Sequence, residues 1–154
     1  MKTRTLLASI VALAAMGTGI AAVTQDLPGP VKARQGQMQL MALNLGVLGG
    51  MARGNTDYDA EAAQTAANNL VALAAIDQSF SWPEGTDNFA LEGTRALPAI
   101  WENPEGFAED YMAFGAAAEG LAAVAGDGLE AVQAAMGSIG GTCGACHDDF
   151  RQAN

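Results

Sequence analysis

Residues 129–152 read LEAVQAAMGSIGGTCGACHDDFRQ. Leu129, Val132, Met136, Ile139, Cys143, Cys146 and Phe150 recur at intervals of three and four, the spacing of one face of an α-helix. Gly140-Gly141 weakens such a helix by about 1 kcal/mol per glycine relative to alanine, a cost that points to close backbone approach at that place. In front of the stretch, Gly126-Asp127-Gly128 is a tight break.

Working outward, the same periodicity recurs three times. The stretch 104–125 carries Phe107, Tyr111, Phe114, Ala118, Leu121 and Ala125, with Asn103 as its cap and Pro104 at its first position, where a missing N–H costs nothing. The stretch 31–53 carries Met38, Met41, Leu45, Leu48 and Ala52 and closes at Gly54-Asn55, and Asp57 is the expected N-cap of the next segment. That segment, 58–78, carries Ala63, Ala66, Leu70, Leu73, Asp77 and Phe80. Asp77 fits its stripe poorly and turns it toward Ile76. Leu27-Pro28-Gly29-Pro30 stops any helix arriving from the N-terminus.

Four amphipathic helices with short first and last connections define an all-α, antiparallel four-helix bundle. No internal repeat argues for a solenoid. The middle connection, 79–103, is long and irregular, with Pro83, Gly85, Gly93, Pro98 and both tryptophans, Trp82 and Trp101. Connections of that length inside a compact domain are often functional. Many core positions are alanine, which leaves room for tight helix contacts or for a bulky guest.

Composition agrees with the fold class and narrows the function. Hydrophobic residues make up 50% of the chain, too many for a disordered one, and sparse Val, Ile and Thr favour helix over sheet. The formal charge of −10 excludes a nucleic-acid-binding role, which needs a basic face. Lys2 and Arg4, the apolar run 6–16 and the small residues 17–22 form a secretory leader, with cleavage expected after Ala22. The domain 23–154 would then carry −12 and be exported to the periplasm, and it has no stretch for stable membrane insertion.

The chain has two cysteines and one histidine, and all three fall in Cys143-Gly144-Ala145-Cys146-His147. C-x-x-C-H is the attachment sequence of c-type haem. Two thiols three apart on a helix share one face and can add to the two vinyl groups of the porphyrin, while the imidazole turns under the iron as the proximal ligand. The competing readings are weaker. A thioredoxin-like pair needs a βαβ context, a zinc site needs about four ligands, and a disulfide across so short a loop constrains little. With the only histidine so assigned, no nucleophile–base pair remains for an enzyme.

The motif lies near the C-terminus on the last helix, and there the chain resembles the class II c-type cytochromes, the cytochrome c prime family. Cys143-Gly144-Ala145-Cys146-His147-Asp148-Asp149-Phe150-Arg151 is similar to that family's C-terminal signature. Ala33-Arg34-Gln35 followed by Met38 resembles its first-helix pattern, a basic residue and, four on, a residue over the distal face of the haem. Pro98-Ala99-Ile100-Trp101 resembles its segment before the third helix, and Gly54 with Tyr58-Asp59 its first turn. The resemblance implies one covalently attached haem c in a periplasmic bundle, often a homodimer, that carries electrons with redox partner proteins or binds small gases such as NO and CO.

Met38 is either a distal metal ligand, a lid over an open iron, or core, with Met41 as the fallback. Arg34 is placed to grip a haem propionate with a forked hydrogen bond, and Gln35 to donate to one. Arg151, four residues after His147, is placed to tune the proximal side. Phe80, Trp82 and Phe89 are candidates to cover a haem edge, and Glu102, Glu105, Glu109, Asp110, Asp148 and Asp149 a solvated acidic face. Leu43, Val47, Met51 or Val71 are candidates for a dimer contact. The expected function is a haem electron carrier and gas binder. One alternative is a purely electron-transferring, six-coordinate form with Met38 bonded, and the other a non-haem adaptor bundle with a Cys143–Cys146 redox switch.

Overall fold

The structure, a computed structural model, describes residues 26–153. The expected leader lies outside the described residues. Helix α1, Gly29–Ala52, begins directly after Pro28, and beyond its cap residue Arg53 the chain turns at Gly54, with φ of 71°. Helix α2, Ala60–Ala74, is capped by Asp59 and not by Asp57. The Asp59 backbone is extended, and its carboxylate accepts from the Ala62 N–H at 2.8 Å. Helix α2 also stops four residues before the expected end. The Asp77 carboxylate accepts from the Ser79 N–H at 2.8 Å, a local turn that competes with helix. Ile76 is therefore 47% exposed instead of joining the core.

A single turn, α3 at Ala99–Glu102, sits inside the long connection. Helix α4, Pro104–Ala122, has the expected cap, with Asn103 Oδ1 accepting from the Gly106 N–H at 3.2 Å. Helix α5, Leu129–Phe150, follows Gly128, whose φ of 133° suits glycine alone. It ends where Arg151 becomes extended and pairs with Ala96 in an antiparallel bridge. A site for a close neighbour at Gly140-Gly141 is not found: both are exposed, with nothing within 4 Å of where a Cβ would stand.

Gln37 meets Leu73 while Asn44 meets Asn69, so α1 and α2 run antiparallel. Gln64 meets Ala122 while Leu73 meets Tyr111, so α2 and α4 do too. The long helices thus form an up–down–up–down bundle, with α1 and α5 closing the ring. Leu48, Leu70, Leu121, Val132 and Ile139 are fully buried at its centre. The innermost line of α1 is Arg34, Gln37, Met41, Asn44, Leu48 and Met51. Met38, Leu45 and Ala52 lie on its flank, half-buried. Met51 is therefore core and not a dimer contact, whereas Leu43 and Val47 are exposed.

Candidate haem site

Cys143, Cys146 and His147 occupy the last two turns of α5. Both thiols are free and half-buried. Cys143 packs against the main core, and Cys146 against a second cluster of Ala96, Ile100, Phe150, Trp82, Trp101 and Phe107. That cluster is an edge-on aromatic stack: Phe107 is 4.8 Å from Trp82 and 5.3 Å from Phe150, centre to centre. Burial pushes both thiols up, Cys146 to about 11, with Asp110, Cys143 and Asp149 adding to the effect. Asp110 is partly buried and its charge reaches Cys146. Burial pulls the His147 imidazole down, helped by the charges of Arg151 and Arg95. A neutral imidazole has a lone pair to give to a metal.

The connection is stitched to the end of α5. The Leu97 N–H donates to the Phe150 carbonyl at 3.0 Å, the Gln152 N–H to the Arg95 carbonyl at 2.8 Å, and Arg95 Nε to the Gln152 carbonyl at 2.9 Å. Arg95 was missed in the sequence because its partners lie 57 residues away.

Across the bundle, Gln133 Nε2 donates to the Ala52 carbonyl at 2.9 Å, which sets the register of α5 against α1. Both helices rise about 1.5 Å per residue. From Ala52 back to Met38 is the same number of residues as from Gln133 forward to His147, so Met38 and His147 stand level. Met38 and Leu45 share the flank of Ala52, which faces α5. Met41 packs into the core, 7% exposed. Of the neighbouring pairs of long helices, α1 and α5 meet least closely.

Arg34 has partners other than the one expected. The residue is 3% exposed, and its guanidinium sits over the Trp82 ring. Nη1 donates to the Ser81 carbonyl at 3.2 Å and Thr86 Oγ1 at 2.8 Å; Nη2 donates to the Thr86 carbonyl at 2.6 Å and Thr94 Oγ1 at 3.1 Å. All four terminal N–H groups are used, so the two-pronged grip on a propionate is not available and only the Nε–H is left. Gln35 Nε2 donates to the Gly93 carbonyl at 2.7 Å. Arg151 is exposed. Phe80 and Phe89 are 86% and 84% exposed and pack against no part of the protein core.

These residues fit a tethered haem. Cys143, Met38, Leu45 and Met136 are apolar yet only half-buried, and they gather on the core around the loosest pairing. Half-buried Gly144 has open space where a Cβ would stand. The buried Arg34 cation has no carboxylate within salt-bridge distance among the described residues. Such a charge is costly unless an anion lies near, and a propionate is one. A metal ion held by side chains alone fits less well, since no group of three or more His, Cys, Asp or Glu gathers among the described residues.

A helical bundle with C-x-x-C-H on its last helix and a methionine level with the histidine defines a c-type haem protein of the class II kind. Residues 29–151 match the family described as Cytochrome C'. The chain is 42% identical over 148 residues to a cytochrome c' of Cereibacter sphaeroides, spanning 96% of this chain and 97% of that protein. The solved structure of cytochrome c' from Rhodobacter spheriodes superposes with a TM-score of 0.79 at 43% identity, covering 81% of this chain and 96% of that one. A nitric oxide complex of a mutant cytochrome c prime from Alcaligenes xylosoxidans superposes with a TM-score of 0.70 at 32% identity, covering 81% and 94%. The chain belongs to the cytochrome c' family. It carries one covalent haem c and serves electron transfer or ligand binding, not catalysis on a substrate.

Proposed function

We propose that this chain is an exported, periplasmic haem protein that carries electrons and binds small gases, with Cys143 and Cys146 holding the haem and His147 as the proximal ligand. The bound group supplies a redox-active iron. The observation that carries the reading is the level placement of Met38 and His147 across the α1/α5 gap. His147, kept neutral by burial and by Arg151 and Arg95, offers its ring nitrogen. Met38 covers the opposite side with an apolar side chain and excludes water. Arg34 Nε and the second amide hydrogen of Gln35 are the donors left for a propionate. The similarity to a cytochrome c prime solved with nitric oxide supports NO and CO as ligands.

A second reading has Met38 bonded as the sixth ligand, and the same register favours it. The spectrum of the ferric protein and of the reduced protein with carbon monoxide separates the two. High-spin ferric features and rapid CO binding support an open distal side. A far-red sulfur-to-iron band and no CO binding support the bonded methionine. The redox-switch reading is disfavoured, because thiols pushed upward by burial are poor attacking groups at neutral pH.

The outer face of α1 is the proposed homodimer contact. No charged residue lies between Arg34 and Arg53, and Leu40, Leu43 and Val47 are exposed there at 50%, 64% and 38%. Open grooves of about 700 and 450 Å³ flank that face, the larger lined by Leu40, Leu43, Leu73 and Ile76. In a chain this acidic, an uncharged stripe is where two copies meet without repulsion.

A further inference from the structure

Gln37, next to Met38, is 7% exposed. Its Nε2 donates to the Leu73 carbonyl at 2.9 Å and to the Tyr111 hydroxyl at 2.6 Å. Its Oε1 accepts from Gln78 Nε2 at 3.2 Å, and the same Gln78 amide donates to the Tyr111 hydroxyl at 3.0 Å. Tyr111 donates to the Leu73 carbonyl at 3.2 Å, and Gln78 Oε1 accepts from Trp82 Nε1 at 3.3 Å. The cluster joins α1, the end of α2, the connection and α4.

It also lies at the level of the site. Phe107 stacks on Phe150, so Tyr111, four residues further along α4, stands level with Cys146, four residues back along α5. The Leu73 carbonyl, in the last turn of α2, already accepts from the Ile76 N–H at 3.4 Å, so closing the helix end does not by itself call for the cluster. Here two side-chain donors converge on the carbonyl, and two amides and a phenol are spent around it.

Gln37 and Met38 project about 100° apart around α1. Whatever fixes the roll of α1 at Gln37 therefore fixes the direction of Met38. Arg34, one turn earlier on the same buried line, is held by the connection as well. A helix with its side chains is about 5–6 Å in radius, so a roll of about 10° moves an outer atom by about 1 Å. A displacement of that size separates a bonded thioether from one that merely lies over a metal.

We infer that Gln37, Gln78 and Tyr111 are positioning residues: by locking the roll of α1 they set the reach of Met38 toward the level of His147, and so how open the distal side of a bound haem is. The inference rests on the haem reading given above. The test uses haem-loaded protein in three variants, Gln37→Leu, Tyr111→Phe and the control Asn69→Ala. The control removes a comparable amide bond between α1 and α2, 2.9 Å to Asn44, away from the level of the site. Ferric spectra, CO association rates of the reduced protein and melting temperatures are measured for each.

The expected result is a change of about threefold to tenfold in CO association for Gln37→Leu and Tyr111→Phe, with the spin-state features moving alongside. The double variant should fall short of the product of the two effects, because they act through one cluster. Asn69→Ala should lower the melting temperature and leave spectrum and rate unchanged. The inference is overturned if the first two variants melt earlier yet keep the wild-type spectrum and rate within twofold, or if Asn69→Ala shifts them equally. Wild-type protein without covalent haem would instead overturn the earlier reading.

Discussion

The guanidinium carbon of Arg34 lies 4.5 Å from the centre of the Trp82 ring, in a pocket closed by Ser81, Thr86 and Thr94. This cation–π contact and four hydrogen bonds fasten the long connection to α1. Replacing Arg34 with Met is expected to lower the unfolding free energy by about 2–4 kcal/mol, because buried acceptors lose their donor. Lys should be intermediate, since an ammonium cannot fork to four acceptors. Urea unfolding gives the magnitude, and hydrogen exchange in 86–94 should speed up in step. An unchanged unfolding midpoint in Arg34→Met would show that the connection does not depend on this contact.

The start of α2 provides a sharper local test. Asp59→Ala should cost about 1 kcal/mol and Asp57→Ala close to nothing, because only the Asp59 carboxylate reaches an orphan N–H of the helix. Thermal melts of the two variants decide the order.

The starts of α4 and α5 were legible because their signals are local, Asn103 and Gly128 each acting on the next turn, whereas α1 starts at Gly29, inside the run expected to break it, and α2 is capped by Asp59. The C-x-x-C-H motif was legible because it too is local. What stayed hidden depends on residues far apart in the chain. Arg34 was expected at a propionate and Gln37 carried no expectation, yet both are buried because their partners stand 36 to 74 residues further on. The Ala96–Arg151 bridge pairs residues 55 apart and forms only where the connection docks on α5. The early end of α2 was a near miss, since Asp77 was flagged as misplaced on the stripe but not read as a turn former.

Burial pushes the Tyr111 hydroxyl above its ordinary value of 10.0, with the donors Gln37 and Gln78 opposing. A raised folded-state pKa means that the neutral phenol favours folding. That contribution is whole below the unfolded value and is lost as pH climbs through the folded one. As pH rises above about 10, wild-type stability should fall more steeply than that of Tyr111→Phe. Urea midpoints across that range are the check, and parallel curves would contradict it.

Leu43 is 64% exposed on the uncharged face of α1. Leu43→Glu puts an unpaired charge into the proposed contact between copies and should weaken association by about a hundredfold or more. Sedimentation equilibrium should give a dimer for the wild type and a monomer for the variant. A wild-type monomer at high concentration would remove the proposed interface.

The central claim is that Cys143 and Cys146 hold a haem that His147 ligates. Intact-mass spectrometry of the denatured, exported protein tests it most directly. The account predicts a mass above that of the polypeptide by one haem, lost in the double variant Cys143→Ser, Cys146→Ser. A bare polypeptide mass from cells that attach haem to other proteins would contradict it.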